Sequence, residues 1–237
     1  DVVMECTGRA DKREVAERGL LAGAGRVLVS GPSAAADLTL VLGANDGELA
    51  AQRIVSNASC TTNALAPLAR LIHDHWGVVT GSMTTIHCYT GSQPTVDAPA
   101  ADYPRSRAAA LSMVPTTTSA SRLLDQVLPE IAGRIQGSAV RVPTASVSCV
   151  DLAVMTERVA TVEAVTAAFR AAGGVIGATD RPLVSTDLRA RPESIVMATP
   201  ETRVTAGGML RVFGWYDNEW GFSNRMLDVA LRMGQAA

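Results

Sequence analysis

The chain has 237 residues, 47% hydrophobic and 19% charged, with 21 basic against 23 acidic side chains and a formal net charge of −2. That is enough for one large domain or two modest ones with a buried core, and the near-balance leaves no electrostatic footprint for nucleic acid or an anionic membrane. Lys12 is the only lysine, which excludes Schiff-base chemistry on an internal active-site lysine and leaves guanidinium groups to bind any anion.

In chain order, Val2-Val3-Met4 reads as a short apolar strand ending at the turn Thr7-Gly8. Asp1 opens inside this strand without an initiator methionine, which reads as a start in mid-domain. Residues 10–23 carry an amphipathic helical pattern with Val15, Ala16, Leu20 and Leu21 on one side. Gly23-Ala24-Gly25 stops it, and Arg26 to Ser30 reads as a second strand closed by Gly31-Pro32. Leu38 to Leu42 and Arg53 to Val55 read as further short strands, so the first 58 residues predict a parallel sheet covered by helices. From Cys60 a helix of about four turns is expected, with Leu65, Leu68, Leu71, Ile72 and Trp76 at helical spacing and Gly77 as its stop. Pro67 should kink or break it.

Longer strands follow at Val78 to Thr85, Gly137 to Val142, Val147 to Thr156, Ser194 to Ala198 and Gly208 to Tyr216, with helical patterns near 119–130 and 162–172. This mixture predicts an α+β region on a mixed sheet. Residues 89–113 form a long irregular segment, a kind of loop that is often functional, and Ser223 to Met233 predicts a C-terminal helix. No apolar run reaches the length of a membrane span. The four cysteines (Cys6, Cys60, Cys88 and Cys149) are scattered without a C-x-x-C pair, which suits a reduced cytosolic setting.

Ser56 to Asn63 (SNASCTTN) carries the strongest chemical signal. A cysteine at a helix N-terminus meets free backbone N–H groups and the positive end of the helix dipole, which favour a thiolate. The small polar residues around it can also cradle an anion; a structural cysteine beside an ordinary cap fits the same string. His87, after a strand, is the better of the histidines as a base, because His73 and His75 sit two apart on a helix and point in different directions. Thr90, the run Thr116 to Thr118, and Arg141 in an apolar strand add hydroxyl and guanidinium donors; Arg141 fits a buried ion pair equally well. A thiol, an imidazole and anion-binding groups together suggest covalent chemistry on a phosphorylated carbonyl substrate.

SNASCTTN at 56–63, TTIH at 84–87 with Tyr89-Thr90-Gly91, RAAAL at 107–111, RVPT at 141–144 and WYDNEWG at 215–221 stand in one order. Together they resemble the phosphorylating glyceraldehyde-3-phosphate dehydrogenase family from residue 1 to about 235. The resemblance implies the C-terminal half of a Rossmann-type parallel sheet in 1–58, with a returning helix at 221–237. It implies a catalytic domain with a mixed, largely antiparallel sheet in 59–220. Cys60 would be the nucleophile and His87 the base. Thr90 and Arg141 would bind the substrate phosphate, while Ser59, Thr61, Thr118 and Ser119 fall at the attacking-phosphate site. Thr7, Gly8, Ser30, Gly31 and Asn218 would meet the cofactor, NAD, with NADP also open; no metal is implied. The same resemblance implies a cytoplasmic homotetramer when full length, acting on a small phosphorylated aldehyde and inorganic phosphate, without nucleic acid or membrane partners.

Several positions depart from the family pattern. Ala64 replaces a second cysteine, Cys88 stands where serine is usual, and Ser119 replaces a glycine that lets backbone approach an anion. Ser92, Pro94, Ala145-Ser146 and Phe222 differ as well. No G-x-G-x-x-G follows any strand, so the adenosine side of the cofactor site is missing. Erythrose-4-phosphate dehydrogenase shares the Cys and His motifs, although Tyr89-Thr90-Gly91 suits the glyceraldehyde enzyme better. A thiol hydrolase and a catalytically incompetent fragment are the remaining alternatives.

Overall fold

The computed structural model describes residues 1–100 and 102–235. Ala101, in the long segment after His87, and the last two positions of the predicted returning helix lie outside the described residues.

The first sheet is parallel throughout, with strands β1 (Val2–Glu5), β2 (Arg26–Val29), β3 (Leu38–Thr39) and β4 (Ile54–Ser56) in the order β1-β2-β4-β3. Its strands read as apolar runs because both faces are covered. Val27, Val29 and Ile54 pack with Val15 and Ala16 on one face. Leu28, Leu40 and Val55 pack with Met226, Val229 and Met233 of the C-terminal helix on the other. The expected helix over 10–23 is two short ones, α1 (Arg13–Ala16) and α2 (Arg18–Leu21). Gly19 lies so close to the sheet that a Cβ there would come within 2.7 Å of Val27. The buried face therefore runs through Val15, Ala16 and Gly19, and Leu21 turns outward with 83% exposure instead of joining it.

Helix α3 (Cys60–Trp76) leaves the carboxyl end of β4 after three residues and ends at Gly77, whose φ of 70° suits glycine. It passes through Pro67 without the predicted break; the ring removes one N–H, while buried Leu65, Leu68 and Ile72 hold the helix on its core. After it come β5 (Val78–Cys88), β6 (Val114–Thr116), α4 (Ala120–Val127), β7 (Ile135–Val142) and β8 (Ser148–Thr156). The chain continues through α5 (Val162–Ala172), β9 (Ile176–Thr179), β10 (Ile195–Ala198), β11 (Arg203–Val204), β12 (Leu210–Tyr216) and α6 (Trp220–Gln235).

These strands build a second sheet in the order β6-β7-β5-β8-β12-β10-β9, with β11 beside β12. Only β5–β7 and β9–β10 pair in parallel, so the sheet is mixed and largely antiparallel. Helices α3, α4 and α5 contribute to the main core with Met83, Val150, Leu152, Val154 and Val212 of this sheet. The short strands β6, β9 and β11 carry no readable sequence pattern. Pro115 in β6 is tolerated because that strand is an edge.

Candidate active site

Cys60 sits at the junction of the two sheets. β4 delivers Ser56, and Asn57, Ala58 and Ser59 turn the chain into α3, whose first residue is Cys60. Ser59 caps the helix: its Oγ accepts from the Thr62 backbone N–H at 3.1 Å and shares a 2.7 Å hydrogen bond with the Thr62 hydroxyl. The half-buried Cys60 thiol therefore lies over the first turn, among N–H groups without helical acceptors.

His87 reaches the same place from the opposite element. The strand expected to end at Thr85 continues to Cys88, because β7 and β8 pair with it almost to its end. His87 is thus a strand residue, 5% exposed, with Nε2 3.6 Å from the Cys60 sulfur. Its Nδ1 lies 2.7 Å from the Cys88 carbonyl and also touches an Arg141 guanidinium nitrogen, which donates to that carbonyl at 3.1 Å. The parallel register that sets Arg141 opposite His87 explains the contact. With Nδ1–H directed to the carbonyl, the Nε2 lone pair faces the Cys60 proton. The guanidinium, which carries no acceptor, is then a charged neighbour of the ring and not a hydrogen-bond donor to it. Among the described residues Arg141 has no carboxylate within ion-pair distance, so the buried-ion-pair reading of this arginine does not hold.

Burial first, and the positive charge of Arg141 second, lower the His87 pKa to about 4. The imidazole is neutral near pH 7. Burial likewise pushes the Cys60 thiol up, against the lowering by Thr61 hydrogen bonds and Arg141, which reverses the direction expected for an open helix terminus. Each group alone favours its neutral form. A thiolate facing an imidazolium offsets both penalties, so the proton is best moved within the pair.

Behind the pair lies a polar layer that links Thr61 and Asn218, both named from the resemblance, to Tyr216, Thr85 and Ser148, which were not. The Tyr216 hydroxyl bonds to Thr61 at 2.9 Å and Thr85 at 2.8 Å, and its ring meets His87 edge-on at 6.0 Å. Asn218 Oδ1 accepts from the Ser148 hydroxyl at 3.0 Å and the Cys88 thiol at 3.1 Å. Its amide is therefore oriented with Nδ2 as the free donor. Only the alternation of β8 and β12 could have hinted at these neighbours. His73, set aside as a base, accepts from the Val78 N–H at 3.0 Å and fastens the turn into β5.

The other predicted residues are not drawn into contact with the pair. Thr90 bonds to Ser92 at 2.9 Å, and Thr118 accepts from Ala120 N–H at 3.1 Å ahead of α4. Thr118 packs against Gly137, four residues along β7 from Arg141, a strand distance of roughly 13 Å. Ser119 occupies the N-cap of α4 without a side-chain cap bond. Thr7 donates through N–H and hydroxyl to the buried Glu5 carboxylate, Gly8 has a φ of 71°, and the Ser30 N–H donates to the Glu5 carbonyl at 2.9 Å. The Gly31 carbonyl accepts from Ser56 Oγ at 2.7 Å. All four follow the carboxyl ends of parallel strands, as does the turn into Cys60. A crevice outside the carboxyl ends of such strands is where a nucleotide binds in folds of this kind. The described residues contain no group of three metal-ligating side chains.

A thiol and an imidazole in contact lie at the mouth of the parallel sheet and at the carboxyl end of β5, an inner strand of the mixed one, an arrangement suited to nucleophilic thiol chemistry. The comparisons with known proteins agree. A family profile described as glyceraldehyde 3-phosphate dehydrogenase, C-terminal domain, matches residues 59–218. Glyceraldehyde-3-phosphate dehydrogenases of Cereibacter sphaeroides, Xanthobacter flavus and Geobacillus stearothermophilus are 51%, 48% and 45% identical to the chain. The alignments cover 99%, 99% and 97% of this chain and 72%, 72% and 71% of those proteins. The chain belongs to the glyceraldehyde-3-phosphate dehydrogenase family, a family of oxidoreductases that use a pyridine nucleotide.

Proposed function

We propose that this chain carries the reaction centre that oxidises glyceraldehyde 3-phosphate, with NAD and inorganic phosphate, to 1,3-bisphosphoglycerate. The 3.6 Å approach of Cys60 Sγ to a neutral His87, with Arg141 against the same ring, carries this reading. Residues 59–220 form its catalytic part, and 1–58 with the helix described over 221–235 form the adjoining half of a nucleotide-binding domain.

His87 Nε2 takes the thiol proton, and the Cys60 sulfur adds to the aldehyde carbon. The returned proton on oxygen completes a hemithioacetal. The same imidazole then removes that hydroxyl proton as hydride leaves the carbon, and a thioester to Cys60 remains. NAD, when bound, supplies the hydride acceptor. Phosphate oxygen attacks the thioester carbon, sulfur departs, and the acyl phosphate forms while the thiol regains its proton. Arg141 and Thr90 hold the substrate phosphate by charge-assisted and hydroxyl hydrogen bonds; Ser59, Thr61, Thr118 and Ser119 serve the attacking phosphate. Asn218, its Oδ1 already engaged, offers Nδ2 to a carboxamide oxygen, and Thr7, Gly8, Ser30 and Gly31 line the path of the cofactor.

Four cysteines with no disulfide support a cytoplasmic location. The exposure of Val79, Ile86 and Met155 on the open side of the mixed sheet supports assembly as a homotetramer in the full-length protein. The test is NAD reduction coupled to acyl phosphate formation, with glyceraldehyde 3-phosphate and erythrose 4-phosphate compared. Faster turnover of the glyceraldehyde substrate is expected. Preference for the four-carbon aldehyde, or phosphate-independent hydrolysis, would overturn the assignment.

A further inference from the structure

We propose that Asn63 is a positioning residue for the Cys60 thiol, clamping the strained turn that presents the nucleophile to His87. The inference rests on the reading of Cys60 as nucleophile.

Only Asn57, Ala58 and Ser59 connect the end of β4 to α3. To make so tight a passage Ala58 adopts a φ of 55°, left-handed backbone that a side chain with a Cβ disfavours, and it does so fully buried. The N–H groups of this turn are tied to the parallel sheet: Asn57 N–H donates to the Val29 carbonyl at 3.0 Å and Ala58 N–H to Ser56 Oγ at 3.1 Å. Its carbonyls are held from the other side by one residue. Asn63 Nδ2 donates to the Asn57 carbonyl at 2.7 Å and to the Ser59 carbonyl at 3.0 Å, the two carbonyls that flank Ala58.

The opposite amide orientation would set Oδ1 against two carbonyl oxygens, so the partners fix it. Asn63 is 2% exposed, and water does not compete for these bonds. It sits one turn into α3, on the same helix as the thiol it serves, yet it makes no hydrogen bond to the sulfur or to the imidazole. Releasing the clamp lets Ala58 return to ordinary backbone, and Cys60 then loses its place over the first-turn N–H groups and its approach to His87.

The experiment measures the rate constant for alkylation of Cys60 by iodoacetamide across a pH series, site by site through peptide mass spectrometry. Asn63→Ala should slow Cys60 at neutral pH by roughly tenfold and move its midpoint up by about one pH unit, while Cys6 on the exposed surface is unaffected. In the Ala58→Gly background, where the left-handed turn carries no penalty, the same Asn63→Ala change should lose most of its effect. A wild-type rate and midpoint for Asn63→Ala would overturn the proposal, and so would an equal loss in both backgrounds. If Asn63→Ala does not fold, Asn63→Asp keeps the shape and loses the donor. The same slowing and upward midpoint shift are then expected of it, and wild-type values would overturn the proposal in the same way. A wild-type protein whose Cys60 is not preferentially alkylated would instead overturn the nucleophile itself.

Discussion

The two sheets meet at Cys60, yet they prepare their ligands differently. The parallel sheet has strands of two to four residues, and the positions proposed for the cofactor lie on turns beyond their carboxyl ends, open to solvent at Thr7 and Gly8. The mixed sheet has strands of up to eleven residues, and it buries His87, Tyr216, Ser148 and Asn218 among paired neighbours. Ligand contact asks for exposed backbone and small residues that another molecule can approach. Proton transfer asks for groups removed from water, with pKa values shifted by burial and held by fixed partners. The difference predicts that substitutions on the mixed sheet alter chemistry, whereas those on the parallel edge alter binding.

The largest effect should come from Cys60→Ser, which leaves the cap and core in place but removes the thioester route. Turnover is expected to fall by at least about 10³-fold, checked by steady-state NAD reduction. His87→Asn should follow, with kcat lower by about 10²- to 10⁴-fold. Arg141→Leu should raise KM for the phosphorylated aldehyde by roughly 10- to 100-fold, as expected for losing charge-assisted hydrogen bonds. It should also raise the His87 pKa from about 4 toward its ordinary value, seen by NMR titration, because one of its two lowering causes is gone. Thr7→Val, on the open edge, should change KM for NAD by only about 3- to 10-fold. A kcat loss there as large as that for His87→Asn would break the contrast.

His87 also ties the mixed sheet to acid stability. The folded pKa of about 4 lies below the ordinary 6.5, so between these values the unfolded chain binds the extra proton. The neutral ring's contribution is fully present above pH 6.5 and is lost as pH falls toward 4, by about 3 kcal/mol at most. Urea unfolding across this window should show a shallower acid loss for His87→Asn than for the wild type.

What the sequence disclosed follows the same division. Apolar runs and glycine stops are enough to place the parallel strands, and Cys60 stands out because small polar residues precede a long helical period. Arg141 and His87 can be named as candidates, but their contact depends on the parallel register of β5 and β7, two strands separated by nearly fifty residues of chain. The unbroken helix at Pro67 and the outward Leu21 run against local pattern. Packing against the core overrides local preference in the first case, and Gly19 rotates the buried face in the second. Ala58, with its positive φ, looks like any alanine in a string. Only the carbonyls facing Asn63 reveal what holds it. The pKa direction at Cys60 also requires the structure, because a helix terminus favours a thiolate while burial opposes it, and their balance depends on depth.

One proton, shared by Cys60 and His87, underlies the chemistry proposed for this site. It can be probed by letting the exposed Cys6 and the half-buried Cys60 compete for a limiting amount of iodoacetamide at neutral pH, read by peptide mass spectrometry. The paired thiol should be labelled first, and His87→Asn should hand that preference to Cys6. Labelling of Cys6 ahead of Cys60 in the wild-type chain, or a Cys60 preference that survives His87→Asn, would contradict the shared proton.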